Sequence, residues 1–149
     1  MCQVSLDFLI FIKRNASFGM ISVLTGLTPS EWACDEEAFE TSSGTCREIM
    51  AEIMALGRAL GYDESLIPSN APDIILADAR VKLRNTDFVP SALLDVRRKT
   101  PFELEVILGR VYRQAKVCQV STPVCILSCQ LSVAEKEASW LTLFTRFSQ

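Results

Sequence analysis

Three observations predict an all-α domain of about six to eight helices. Apolar residues recur at mixed three- and four-residue spacing along most of the chain. The helix-start pattern Thr-Pro-x-Glu occurs twice, at Thr28-Pro29-Ser30-Glu31 and Thr100-Pro101-Phe102-Glu103. β-Branched runs with strict alternation, the mark of half-buried strands, are scarce.

The first element is predicted from about Leu6 to Leu24, where apolar and small polar residues share a helical period and Gly26 can close the helix. Thr28 then caps a second helix, with Pro29 at its first position and Glu31 placed for a capping box. That helix is expected to pass through Trp32 toward Phe39 and to be broken by Thr41-Ser42-Ser43-Gly44. The next segment has the clearest period. Cys46, Ile49, Met50, Ile53, Met54, Ala55, Leu56 and Leu60 form its apolar stripe, with Arg47, Glu48, Glu52 and Arg58 off it. Gly61 ends that helix, and residues 68–72 (Pro-Ser-Asn-Ala-Pro) read as a loop. Another helix is expected from Asp73 to Arg84 with Ile74, Ile75, Ala77, Val81 and Leu83, followed by a short one from Pro90-Ser91 through Val96. Thr100 and Glu103 open a helix to about Lys116 with the stripe Leu104, Ile107, Leu108 and Val111. After Pro123, one or two helices carry Ile126, Leu131, Trp140, Leu143 and Phe144. There is no internal repeat and no glycine-rich phosphate loop.

A chain of 149 residues, 49% apolar and 22% charged, can bury a substantial core and reads as one globular domain, residues 1–149. A net charge of −3 gives no general attraction for nucleic acid or anionic lipid. Arg97-Arg98-Lys99 reads as a solvated helix end, where cations complement the carboxyl-end dipole. Six cysteines without a CxxC pair, and no histidine, make a poor zinc set. Cys125 and Cys129 sit one helical turn apart and are expected as small core residues. No run reaches the roughly 18 apolar residues of a membrane span. Met1 to Ile12 is interrupted by Asp7 and lacks a basic leader and a cleavage site, so no signal peptide is expected. The expected location is cytoplasmic, with reduced thiols. Asn15-Ala16-Ser17 matches a glycosylation acceptor, which means little without secretion.

The polar residues Asn15, Ser17 and Ser22 within the apolar first segment have two readings. They are solvated or locally satisfied, or the helix lines a site. Glu103 is explained by its capping box alone and Ser91 by its place at a helix start. Met50 and Met54 read as core packing, and Trp32 and Trp140 as core or interface residues.

Residues 15–26 (NASFGMISVLTG), the long helix ending Ala59-Leu60-Gly61, Pro90-Ser-Ala-Leu-Leu-Asp95, Thr100-Pro-Phe-Glu103 and Ser121-Thr-Pro123 occur in that order. Together they resemble the carboxyl-terminal helical domain of ketopantoate reductase (2-dehydropantoate 2-reductase), from about position 8 to position 135. The resemblance implies a multi-helix fold of the 6-phosphogluconate dehydrogenase-like C-terminal type. It also implies an enzyme of two halves, in which a Rossmann domain binds NADPH and the helical domain closes over the keto acid on the way to pantothenate. Carried over by position, Asn15, Ser91 and Glu103 are the implied substrate-binding residues, and Asp95 matches an aspartate read as structural.

Two positions depart from the family pattern. The catalytic lysine, four residues before Asn15, is Phe11, and a later asparagine position is Gly19. Lys13 does not replace the lysine, because two residues along a helix rotate by about 200°. No Gly-x-Gly-x-x-Gly occurs, so the Rossmann half is expected to be absent and the chain to hold no cofactor of its own. No catalytic residue is expected.

Three functions follow as expectations. The chain is the substrate-side half of a split or truncated reductase, inactive alone and needing a separate Rossmann-domain partner. Alternatively it is a cofactor-free small-molecule binder or enzyme that uses the same cleft, for a keto acid or another ligand. Or it is a helical interaction or dimerisation module with a vestigial cleft, for which a homodimer is a reasonable expectation.

Overall fold

The computed structural model describes residues 17–65, 67–98, 100 and 108–127. Within them lie seven helical segments and no strand. They are α1 (Met20–Thr25), α2 (Pro29–Cys34), α3 (Glu36–Ala59), α4 (Ala71–Lys82), α5 (Ser91–Arg97), α6 (Arg110–Val117) and α7 (123–127). A wider π-type turn leads into α1 at 17–19 and into α6 at 108–109. The all-α prediction holds.

The predicted punctuation is present where its chemistry is local. Gly26 closes α1 at φ 71°, a left-handed position that costs glycine nothing. The Thr28 hydroxyl accepts from Glu31 N at 3.2 Å while the Glu31 carboxylate accepts from Thr28 N at 2.7 Å, which completes the capping box. Gly61, at φ 96°, follows the end of α3.

The expected break at residues 41–44 is a correction. α3 runs through Thr41, Ser42, Ser43 and Gly44, and the chain turns earlier, at Asp35. Asp35 has extended backbone (ψ 111°), ends α2, and accepts from Ala38 N at 3.0 Å to start α3. Ser42 stays helical because its hydroxyl donates to Ala38 O at 2.6 Å and accepts from Trp32 Nε1 at 2.7 Å. That bond also satisfies the single polar group of a buried indole.

α3 is the spine, packing on α1, α2, α4 and α6. One cluster joins Ile49, Ile53 and Leu56 to Met20, Val111, Ala115 and Cys125. A second joins Cys46 and Met50 to Ile21, Trp32, Leu76 and Ala79, with Phe18 and Phe39 against the indole at 5.8 and 4.8 Å between ring centres. The α3 stripe is narrower than predicted: Met54 is half-buried, and Ala55 and Leu60 are exposed. On α4 the core residues are Leu76 and Ala79, whereas Ile74 and Val81 lie on the surface. Leu108 and Val111 are buried as predicted; Leu104, Ile107, Cys129 and Trp140 lie outside the described residues.

After α3, Arg58 organises the turn. Its guanidinium donates to Glu64 at 2.7 Å and to the Ile67 carbonyl. Gly57 permits this close approach, since a Cβ there would stand 2.8 Å from Ile67 Cδ1.

Candidate functional site

Of the three substrate-binding residues predicted, the structure describes Ser91. Asn15 and Glu103 lie outside the described residues, as does Phe11. The convergence of the three is therefore not among the observed contacts.

Ser91 is the first residue of α5 and is exposed. Pro90 before it is buried, which fixes the entry of the chain and suits a helix start. No side chain caps α5. The Ser91 hydroxyl has no hydrogen-bond partner among the described residues, so it can donate to or accept from a ligand oxygen. Behind it, Ala92 and Leu93 are buried, and α5 packs on α1. The α1 segment follows directly on the turn that contains Ser17 and Gly19, both buried. Gly19 is in right-handed helical backbone (φ −61°), so glycine here meets no conformational need.

Contacts of Arg97 and Asp95 set the carboxyl end of α5. The Arg97 guanidinium donates to Gly26 O at 2.8 Å and lies 3.5 Å from the Glu31 carboxylate. The cation thus sits at the carboxyl end of α1, where its charge is favoured, and beside the Glu31 carboxylate. Arg97 is exposed in the last turn of α5, the helix end expected of it, and makes these contacts from there. At the same end, Thr100 N donates to Asp95 O at 2.9 Å and the Thr100 hydroxyl reaches Asp95 Oδ1 at 3.3 Å. Asp95 thereby ties the helix of Ser91 to Thr100.

Glu52 is the polar residue the sequence reading missed. It is half-buried on α3, and its two carboxylate oxygens accept from Val124 N at 2.6 Å and Cys125 N at 2.8 Å, the first amides of α7. It holds the Ser121-Thr122-Pro123 turn against the core, where Thr122 is buried. A contact across 72 positions has no local sequence signal.

Two carboxylates are held below the ordinary value of 4.5. Glu31 is lowered chiefly by the Thr28 backbone N–H and then by its hydroxyl, with Arg97 adding to the effect. Glu64 is lowered chiefly by the Ser69 backbone N–H, then by its hydroxyl and by Arg58. Burial pushes the Cys46 thiol up to about 12. Among the described residues no cluster of Cys, Asp or Glu is arranged to hold a metal ion, and no helix is long and apolar enough to cross a membrane.

Comparison with known proteins adds the following. The family model described as ketopantoate reductase PanE/ApbA C terminal matches residues 14–135. A solved dimeric ketopantoate reductase from Staphylococcus aureus is similar at TM-score 0.65 and 19% identity, over 89% of this chain and 44% of that one. A 2-dehydropantoate 2-reductase from Methylococcus capsulatus is similar at TM-score 0.63 and 24% identity, over 91% of this chain and 42% of that one. The chain thus spans less than half the length of the solved structures it matches. At these identities the likeness is one of fold. No curated protein sequence matches the chain.

Proposed function

The chain belongs to the ketopantoate reductase C-terminal family, and from that membership we propose that it serves as the substrate-side half of an NADPH-dependent 2-dehydropantoate reductase. The observation that carries this reading is the family match over residues 14–135, on helices that share the fold of the reductases. In this role Asn15, Ser91 and Glu103 orient the keto acid by hydrogen bonds, and Arg97 and Asp95 hold the helix of Ser91 in place.

The 149 residues contain no Gly-x-Gly-x-x-Gly, so they offer NADPH no pyrophosphate seat. The nucleotide has to be held by another polypeptide, or by a segment continuous with this one. With Phe11 at the lysine position, this half also brings no proton donor to the substrate carbonyl from that place. Loss of such a donor typically costs about 10²–10⁴-fold.

The purified chain should therefore not oxidise NADPH when given ketopantoate. It should nonetheless be stabilised against heat by ketopantoate or pantoate, and Asn15→Ala and Ser91→Ala should each reduce that stabilisation. When the chain is supplied with the nucleotide-binding domain of a reductase, Phe11→Lys should raise turnover. NADPH oxidation by the chain alone would overturn this reading, as would keto-acid stabilisation indifferent to both alanine variants. A second reading, a cofactor-free binder using the same cleft, is favoured by Phe11 and Gly19 standing where the family pattern is polar. Stabilisation by an apolar acid in preference to ketopantoate would select it.

A further inference from the structure

Ser22 is a polar residue of the apolar first segment to which the proposed function gives no role. It is buried, at 2% exposure, and its hydroxyl makes no hydrogen bond among the described residues. A hydroxyl within a helix ordinarily donates to the carbonyl four residues back, as Thr25 does to Ile21 at 2.7 Å and Ser42 to Ala38 at 2.6 Å. A buried hydroxyl that makes no such bond is uncommon, and it keeps both a donor and acceptor lone pairs available.

Packing sets the place of Ser22. α1 packs on α3 and on α5. Met20 and Ile21 join α3 in the two core clusters, so they mark the side of α1 that meets α3. At about 100° per residue, Gly19 and Ser22 both lie about 150° round the helix from the mid-line of that pair. They share the side turned from α3, and α5 is the other helix that α1 packs on. Arg97 at the carboxyl end of α5 donates to Gly26 O at the carboxyl end of α1, which ties those two ends together. Counted back along the helices, Ser91 stands about 9 Å before Arg97 and Gly19 about 10 Å before Gly26. From their common end, side-by-side packing brings Ser91 level with Gly19, one turn from Ser22.

We infer that the Ser22 hydroxyl is a further ligand-binding group, donating to an oxygen of a small keto acid seated over Gly19 beside Ser91. Gly19 is buried in right-handed helical backbone, so its missing side chain supplies room rather than conformational freedom. Exposed Ser91 stands at the mouth of this site and buried Ser22 at its floor. The turn at 17–19 that leads into α1 is of the wider π type, which occurs frequently at functional sites. The class of ligand rests on the substrate-side reading proposed above.

Calorimetric titration of the full chain with ketopantoate, for the parent, Ser22→Ala and Ser91→Ala, tests this inference, together with the Tm of each unliganded chain. Ser22→Ala should weaken binding about tenfold or more, the size of a lost hydrogen bond to a charged oxygen. Its unliganded Tm should equal or exceed that of the parent, since the free chain loses no bond. Affinity unchanged in Ser22→Ala but lost in Ser91→Ala overturns this inference and leaves the substrate-side reading standing. A lower unliganded Tm in Ser22→Ala also overturns it, because the hydroxyl would then have a partner in the free chain. A parent chain that does not bind ketopantoate overturns the substrate-side reading, and this inference with it.

Discussion

Glu52→Ala should be among the most costly single changes at a polar residue of this chain. The carboxylate accepts two backbone N–H groups, at 2.6 and 2.8 Å, from the opening turn of α7. Charge-assisted hydrogen bonds contribute about 1.5–3 kcal/mol each, and a helix amino end adds a few tenths more. Glu52 is half-buried, so water recovers part of the loss at the two amides. The net cost expected is about 2–3 kcal/mol, or a Tm lower by about 4–12 °C in a chain of this size. Glu52→Gln keeps one acceptor but turns an N–H toward the second amide, and should cost about half as much. Glu48→Ala, at an exposed position one turn earlier on α3, should stay within about 0.5 kcal/mol of the parent. Urea denaturation with a common m-value measures all three. A Glu52→Ala cost below about 0.5 kcal/mol would refute the reasoning, because water would then be serving both amides as well as the carboxylate does.

Gly44→Ala should stabilise the chain by about 0.5–1 kcal/mol, since Gly44 is exposed inside α3 and an added Cβ meets nothing within 4 Å; a loss of stability in the same denaturation series would refute this. Alkylation mapped by mass spectrometry should label exposed Cys34 in the native state and leave Cys46 unlabelled until unfolding, because burial holds the Cys46 thiol near 12. Glu31 and Glu64 have folded values below the ordinary 4.5, so the stability they contribute is complete above that value and is lost as pH falls through the folded values. Acid denaturation below about pH 4.5 should therefore be shallower in Glu31→Gln and Glu64→Gln, and an unchanged acid limb would contradict the assignment.

What the sequence revealed and what it hid divide along contact range. The capping box at Thr28 and Glu31, the closing glycines 26 and 61, and the buried period of Cys46, Ile49, Met50, Ile53 and Leu56 are short-range features, and all are present. Thr41-Ser-Ser-Gly44 looks like a break because those residues compete with helix in isolation. The Trp32–Ser42 bond keeps Ser42 helical, and the turn falls six residues earlier at Asp35, whose cap on Ala38 N is a local signal the sequence reading passed over. Glu52, Arg97 and the outward face of α4 could not be foreseen, since each is defined by segments far away in the chain. Of the candidate site, the placement of Ser91 at a helix start was legible; its exposure and the anchoring of its helix by Arg97 required the folded structure.

The spine helix has a thermodynamic consequence. Because neighbouring turns of α3 supply Met50 to one packed cluster and Ile49 and Ile53 to the other, neither cluster can melt while the other keeps that helix intact. The described residues should accordingly lose amide-exchange protection as one cooperative unit. Damage at the indole nest would then be felt at Ala115 without any contact linking the two.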